Sequence, residues 1–202
     1  RFRTGLLHQQ LLADVLHGAG FGSPAEQPAS QPRGTVRCER LRTLPDTVGP
    51  GMRLLLVSLN PSLYAADAGI GFARPGNRFW PAMLASGLAT KDRDQWHLLA
   101  EHGIGMTELV KRATVRADEL STGEYAHGFA RVERLARWLQ PQRVCFVGLD
   151  GWRKVVSRKA VTGWQQRTVA GVPTYVMPNP SGLNAHVQVP DLAAHLIAAT
   201  AR

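Results

Sequence analysis

The chain has 202 residues, which points to one domain with room for a flexible flank. An apolar share of 44% excludes wholesale disorder, no apolar run nears the ~20 residues of a bilayer span, and Cys38 and Cys145 are too few for a disulfide framework or a four-cysteine metal cluster. The 24 Lys+Arg against 15 Asp+Glu leave a net charge of +9, which favours a polyanion partner, nucleic acid before an acidic membrane; heavy arginine use from codon bias is the competing reading.

Thr4–His17 carries leucines at 6, 7, 11, 12 and 16, a helical repeat with Thr4 placed to cap it. Residues 18–34 are rich in Gly, Pro, Ser, Gln and Ala and read as linker. No strand precedes Gly18, Gly20 and Gly22, so they do not make a phosphate loop. The sequence thus divides into an N-terminal helix with a basic linker, 1–50, and a main domain, 51–202. Arg1 opens the chain in place of Met, so the start reads as trimmed. It lacks the charged-then-apolar pattern of a signal peptide, and a cytoplasmic setting is expected.

Residues 53–59 form a continuous apolar run ending in Asn-Pro, the pattern of a buried parallel strand. Short helices are expected over 80–88 and 93–102, the second stopping at Gly103. A weaker strand candidate follows at 103–110. The strongest helix is 121–139: Ser121 and Glu124 have capping-box spacing and Pro141 lies just past the end. Its inner stripe is read as Tyr125, Phe129, Val132, Leu135 and Trp138, with Arg131, Arg134 and Arg137 on another face. Strands at 143–149 and 172–177 come next, and Pro190-Asp191 opens a last helix through Ala199. Alternating strands and helices predict an α/β domain with a mainly parallel sheet.

The common reaction signatures are absent: no GxxxxGK[ST], HExxH, GxSxG or CxxC occurs. The seven histidines are scattered without metal-ligand spacing. What stands out is a near-repeat, Asn60-Pro61-Ser62 after the first strand and Asn179-Pro180-Ser181 after the last. Either alone is ordinary turn chemistry. Parallel strands, however, send their following loops to one edge, where open α/β sheets bind ligands. After Asn60 comes a long stretch, read as a loop, with Gly69, Gly71, Phe72, Arg74 and Arg78. Phe72 suits stacking against a flat ligand or plugging the core. Arg74 and Arg78 suit phosphate contacts or solvated charge.

Asn60-Pro61, Phe72, Asn77-Arg78-Phe79-Trp80 and Met177-Pro178-Asn179-Pro180-Ser181-Gly182-Leu183 together resemble the mismatch-specific uracil-DNA glycosylases. These are bacterial relatives of thymine-DNA glycosylase within the uracil-DNA glycosylase superfamily. The resemblance runs from about Arg53 to about Leu196. It implies a three-layer αβα sandwich around a short, mainly parallel sheet, acting without metal or cofactor. Two departures stand out. Ser58 and Ser62 replace both glycines of the usual Gly-[Ile/Leu]-Asn-Pro-Gly, and Asn184-Ala185 follow Gly182-Leu183 where relatives tend to have Ser-Arg.

The resemblance also implies roles. A base inside a duplex must be flipped out before its sugar bond can be attacked. Asn60 would orient the attacking water, with Leu59, Ser62, Ala65 and Phe72 forming the base pocket. Leu183 would wedge into the vacated stack, while Asn179, Ser181, Gly182 and Asn184, with Arg74 and Arg78, would meet the DNA. Double-stranded DNA with a G·U mismatch is the expected substrate, single-stranded DNA a second form, and the chain is expected to act as a monomer. A non-catalytic reader of flipped or single-stranded bases is the alternative. Asp67, between Ala66 and Ala68, is added as a second catalytic residue, because a carboxylate there would stabilise a developing sugar cation and take a proton from water. On that expectation, uracil would be excised from A·U pairs and single strands too. Arg33, Arg37, Arg40 and Arg42 read as a DNA-touching arm or a basic solvated segment.

Overall fold

A computed structural model describes residues 6–22, 37–184 and 186–201. The expected cap at Thr4, the linker arginine Arg33 and Ala185 lie outside the described residues.

The apolar runs become β1 (Leu54–Ser58), β2 (Ile104–Glu108), β3 (Val144–Val147) and β5 (Thr174–Met177), with a two-residue β4 (Gly163–Trp164). Their order is β2-β1-β3-β5-β4. The first four are parallel, with Ser58 opposite Glu108 and Val57 opposite Phe146, and β4 runs antiparallel to β5. The chain turns to one side of β1 for β2 and to the other for β3, so the strand order reverses at β1. Ligand crevices of open α/β sheets form at such reversals, beyond the carboxyl ends of the strands.

Strand periodicity sorts the core into two layers. Leu55, Val57, Val144, Phe146 and Val176 face α5 (Thr122–Leu139) and α6 (Leu149–Val155). Leu54, Leu56, Ile104, Met106, Cys145, Tyr175 and Met177 face α3 (Phe79–Ala85), α4 (Gln95–His102) and α7 (Val189–Thr200). This is the expected three-layer αβα sandwich. Helix α1 (Leu6–Gly18) docks on α5 through the Arg134–Asp14 ion pair at 2.6 Å. Thr47 exchanges backbone hydrogen bonds with Met106 at 2.9 and 2.7 Å and so covers the outer edge of β2.

Four elements differ from the sequence expectation. The stretch after Asn60 contains a helix, α2 (Leu63–Ala68). Helix α6 and β4 occupy the interval between the strands at 143–149 and 172–177, where none was expected. In α5 the capping box forms as expected, but Trp138 is 52% exposed and Arg131 is buried. Arg131 turns inward because Thr107 Oγ1 and the Asp46 carboxylate accept from its guanidinium. No described helix is long and apolar enough to cross a membrane.

Candidate active site

Strand β1 stops at Ser58, and Leu59-Asn60-Pro61-Ser62 leaves from its carboxyl end. The pairing with β2 continues a little further: Leu109 N donates to Ser58 O at 2.8 Å and Val110 N to Leu59 O at 2.9 Å. Ser62 Oγ then accepts from Ala65 N at 3.2 Å and caps α2, a use for this hydroxyl that glycine could not supply. A cavity of about 210 Å³ opens here. Leu59, Asn60, Ser62, Ala65, Phe72, Arg74, Asn179 and Ser181 line it, so eight of the expected site residues share one pocket. Larger cavities lie elsewhere, for example about 460 Å³ beside α5, but they do not receive these loops.

Asn60 is tightly fastened. Its Nδ2 donates to Arg112 O at 3.0 Å, Thr114 Oγ1 at 2.8 Å and Pro61 O at 3.2 Å. Thr114 is itself held by its N–H donating to Pro61 O at 3.2 Å. Arg112 is anchored in turn by Glu124 at 2.6 Å; that guanidinium, with the Ser121 N–H and hydroxyl, pulls the Glu124 carboxyl down to about 2. No described residue donates to Asn60 Oδ1. The side chain therefore offers the cavity a fixed hydrogen-bond acceptor.

Phe72 has φ 58°, a left-handed conformation costly for a bulky residue. Its neighbours enforce it. Gly71 N donates to Gln95 Oε1 at 3.1 Å, and Gly71 O accepts from Trp80 Nε1 at 2.8 Å. Phe72 then stacks on Phe79, centroids 4.0 Å apart and planes 21° from parallel, and is among the residues lining the cavity.

The second loop is a built turn. Asn179 Oδ1 accepts from Ser181 N at 2.9 Å, Ser181 Oγ from Leu183 N at 3.3 Å, and Asn179 O from Asn184 Nδ2 at 3.1 Å. It leaves Leu183 89% exposed at its tip. A Cβ on Gly182 would lie 2.7 Å from Gly76 O, so glycine allows the two loops to touch backbone to backbone.

Residues 45–199 match the family model described as the Uracil DNA glycosylase superfamily. The chain belongs to that superfamily. Its members are DNA glycosylases, hydrolysing N-glycosidic bonds, with DNA as substrate. The loops after β1 and β5, which meet at the cavity, both lie inside the matched span.

Within this glycosylase fold two expected residues stand elsewhere. Asp67 is not in the pocket: it projects from α2, 56% exposed, and makes a two-point ion pair with Arg42, at 2.8 and 2.5 Å. The Arg42 guanidinium holds its carboxyl below the usual range. The helical turn of 63–68 carries it away from the site, which a loop reading did not foresee. Arg78 does not face outward either. It donates to Ser181 O at 2.7 Å, to Asn184 O at 2.5 Å and to Val187 O, and its buried Nε has no partner among the described residues. Arg74, by contrast, is exposed at the rim.

The sequence reading missed Glu108, the only carboxylate among the described residues lining the pocket. It ends β2 and is buried. Lys111 Nζ binds its Oε2 at 2.6 Å, Asp46 Oδ1 at 2.8 Å, and the Leu44 carbonyl. Burial pushes the Glu108 carboxyl up, with Lys111 pulling against it. Asp46 is also buried, but Lys111 and Arg131 hold its carboxyl below the usual range. The one available sequence signal was an acidic residue terminating an otherwise apolar strand.

Proposed function

We propose that this protein is a monofunctional, mismatch-directed uracil-DNA glycosylase: it flips uracil from a G·U pair and hydrolyses the N-glycosidic bond, leaving an abasic site. The observation that carries this reading is the anchoring of Asn60. An amide whose N–H groups are all spent on Pro61, Arg112 and Thr114 presents only its carbonyl, which suits holding a water but not reading a base acceptor. A module that merely bound flipped bases would have no use for it.

The flipped base stacks on Phe72, and backbone N–H groups around Leu59–Ser62 meet the carbonyls of its edge. As the bond lengthens, charge moves onto the base, and those dipoles, fixed in advance, stabilise it without reorganising. The water on Asn60 Oδ1 attacks the sugar carbon. Leu183 fills the vacated stack, Ser181 and Arg74 meet phosphates, and Gly182 brings the backbone close to the orphaned guanine. Unstacking costs a few kcal/mol, less at a mismatch, which is a physical source of preference for G·U.

The test is a duplex bearing one G·U pair, incubated with the protein and treated with alkali. Strand breaks at the uracil position are expected only after alkali. Breaks before alkali would mean a lyase step, and tight binding without breaks would favour the non-catalytic reader.

A further inference from the structure

The pocket has depth. Glu108 at 5%, Leu44 at 3% and Ala65 at 4% exposure form its floor, while Arg74 and Asn179 are exposed at the rim. The ammonium of Lys111, with three donors, spends one each on Leu44 O, Asp46 Oδ1 and Glu108 Oε2. It has nothing left for a ligand. Glu108 Oε1 is in the opposite position: no described residue donates to it, Glu108 lines the cavity, and this oxygen is not one of the solvent-inaccessible side-chain atoms left without a partner, so it keeps some contact with solvent. Closing a base over that oxygen strips the water it can still reach, which is costly unless the ligand supplies a donor in its place.

We propose that Glu108 is a specificity-determining residue of the pocket, its Oε1 accepting a hydrogen bond from the ring N–H of a lactam base. This rests on the glycosylase reading above and names what the site selects. A flipped nucleotide enters base first, with its sugar retained at the rim by the DNA strand, so the floor meets the far edge of the base. On that edge, deamination changes the chemistry: the ring nitrogen of cytosine is an acceptor, while N3 of uracil carries a proton. The same change converts adenine N1 to the N1–H of hypoxanthine. A carboxylate facing a ring lone pair is repelled and stays unsatisfied, whereas facing an N–H it forms a charge-assisted bond. Sites built to hydrogen-bond one group reject the analogue lacking it far more strongly than apolar pockets do. Lys111 acts through Glu108, fixing the other oxygen so that Oε1 keeps its aim.

The decisive probe is 3-methyluracil, which replaces the N–H by a methyl group. Single-turnover excision is measured for uracil and 3-methyluracil, each opposite guanine, with wild type, Glu108→Ala and Glu108→Gln. Wild type should prefer uracil by at least about 100-fold. Glu108→Ala should slow uracil removal and narrow the ratio to below about 10-fold, since the acceptor is gone and the methyl has room. Glu108→Gln keeps the shape and should narrow the ratio less; it carries the comparison if Glu108→Ala does not fold. A wild-type ratio near one, or a ratio unchanged in the variants while uracil is still excised, overturns the role of Glu108 alone. Failure of the wild type to excise uracil from any duplex overturns the glycosylase reading itself.

Discussion

The backbone N–H of Arg78 donates to the carbonyl of Pro180 at 3.0 Å, and the Arg78 guanidinium reaches three further carbonyls of the same loop, those of Ser181, Asn184 and Val187. One side chain thus fixes the loop after β5 against the loop before α3. Arg78→Ala should lower uracil excision about tenfold or more by releasing Leu183 and Ser181, because a misplaced site loses rate steeply. Its effect on salt dependence should be nil. A net charge of +9 implies that binding weakens steeply with salt, each phosphate contact adding about one to the slope. Arg74→Ala should reduce that slope, and Arg78→Ala should not; a reduced slope for Arg78→Ala would return it to the DNA surface.

Asn60→Ala should reduce excision by orders of magnitude while DNA affinity stays within a few fold, since a positioned water matters chiefly in the transition state. Thr114→Val removes one of the three acceptors that orient Asn60. A loss of about 1 kcal/mol, or roughly fivefold in rate, is expected, in keeping with one hydrogen bond. Equal losses of affinity and rate in Asn60→Ala would argue against water placement.

The central strands and the long helices were legible because burial on both faces leaves apolar runs and a buried helical face leaves a 3.6-residue stripe. Asn60, Phe72 and Leu183 were legible through their motifs. Short elements were not. Leu63–Ala68 has six residues, too few for a periodic signal, and its turn moves Asp67 from the site to solvent. Arg78 and Arg131 look like surface arginines in sequence. Only the folded chain shows the carbonyls and carboxylates that draw them inward. Glu108 was hidden for the same reason, since its pocket is assembled from segments far apart in the chain.

Asp67→Asn should excise uracil within about twofold of the wild-type rate on every substrate. The carboxylate is exposed and bound to Arg42, outside the cavity, and exposed ion pairs contribute little. This reverses the sequence-based expectation of a catalytic Asp67, and with it the reason for expecting A·U and single-stranded substrates. A tenfold loss in single-turnover rate for Asp67→Asn would restore that expectation.

Leu183→Ala should leave the melting temperature unchanged, since the side chain is 89% exposed. It should accelerate release of the abasic product and slow flipping, seen as a slower rise of 2-aminopurine fluorescence beside the target base. Unchanged release together with unchanged flipping would remove Leu183 from the role of wedge.

Four charges meet behind the pocket: Lys111 and Arg131 against Asp46 and Glu108. The sum is zero, and Lys111 is common to both carboxylates. Replacing it by methionine keeps the length but leaves a buried net charge of minus one, with Arg131 still serving Asp46 and nothing serving Glu108. Breaking such a pair costs about 3–5 kcal/mol, so Lys111→Met should be destabilised by that order at pH 7 in denaturant unfolding. The penalty should depend on pH in one direction. Burial already raises the Glu108 carboxyl above its ordinary value, and without the ammonium it rises further. A carboxyl whose folded pKa exceeds its unfolded one binds protons more readily in the folded state, so folding gains stability as pH falls through that interval. Lys111→Met should therefore recover much of its deficit relative to wild type between pH 7 and pH 5. A deficit of the same size at both pH values would mean that lost packing, and not an unpaired Glu108, is what the substitution costs.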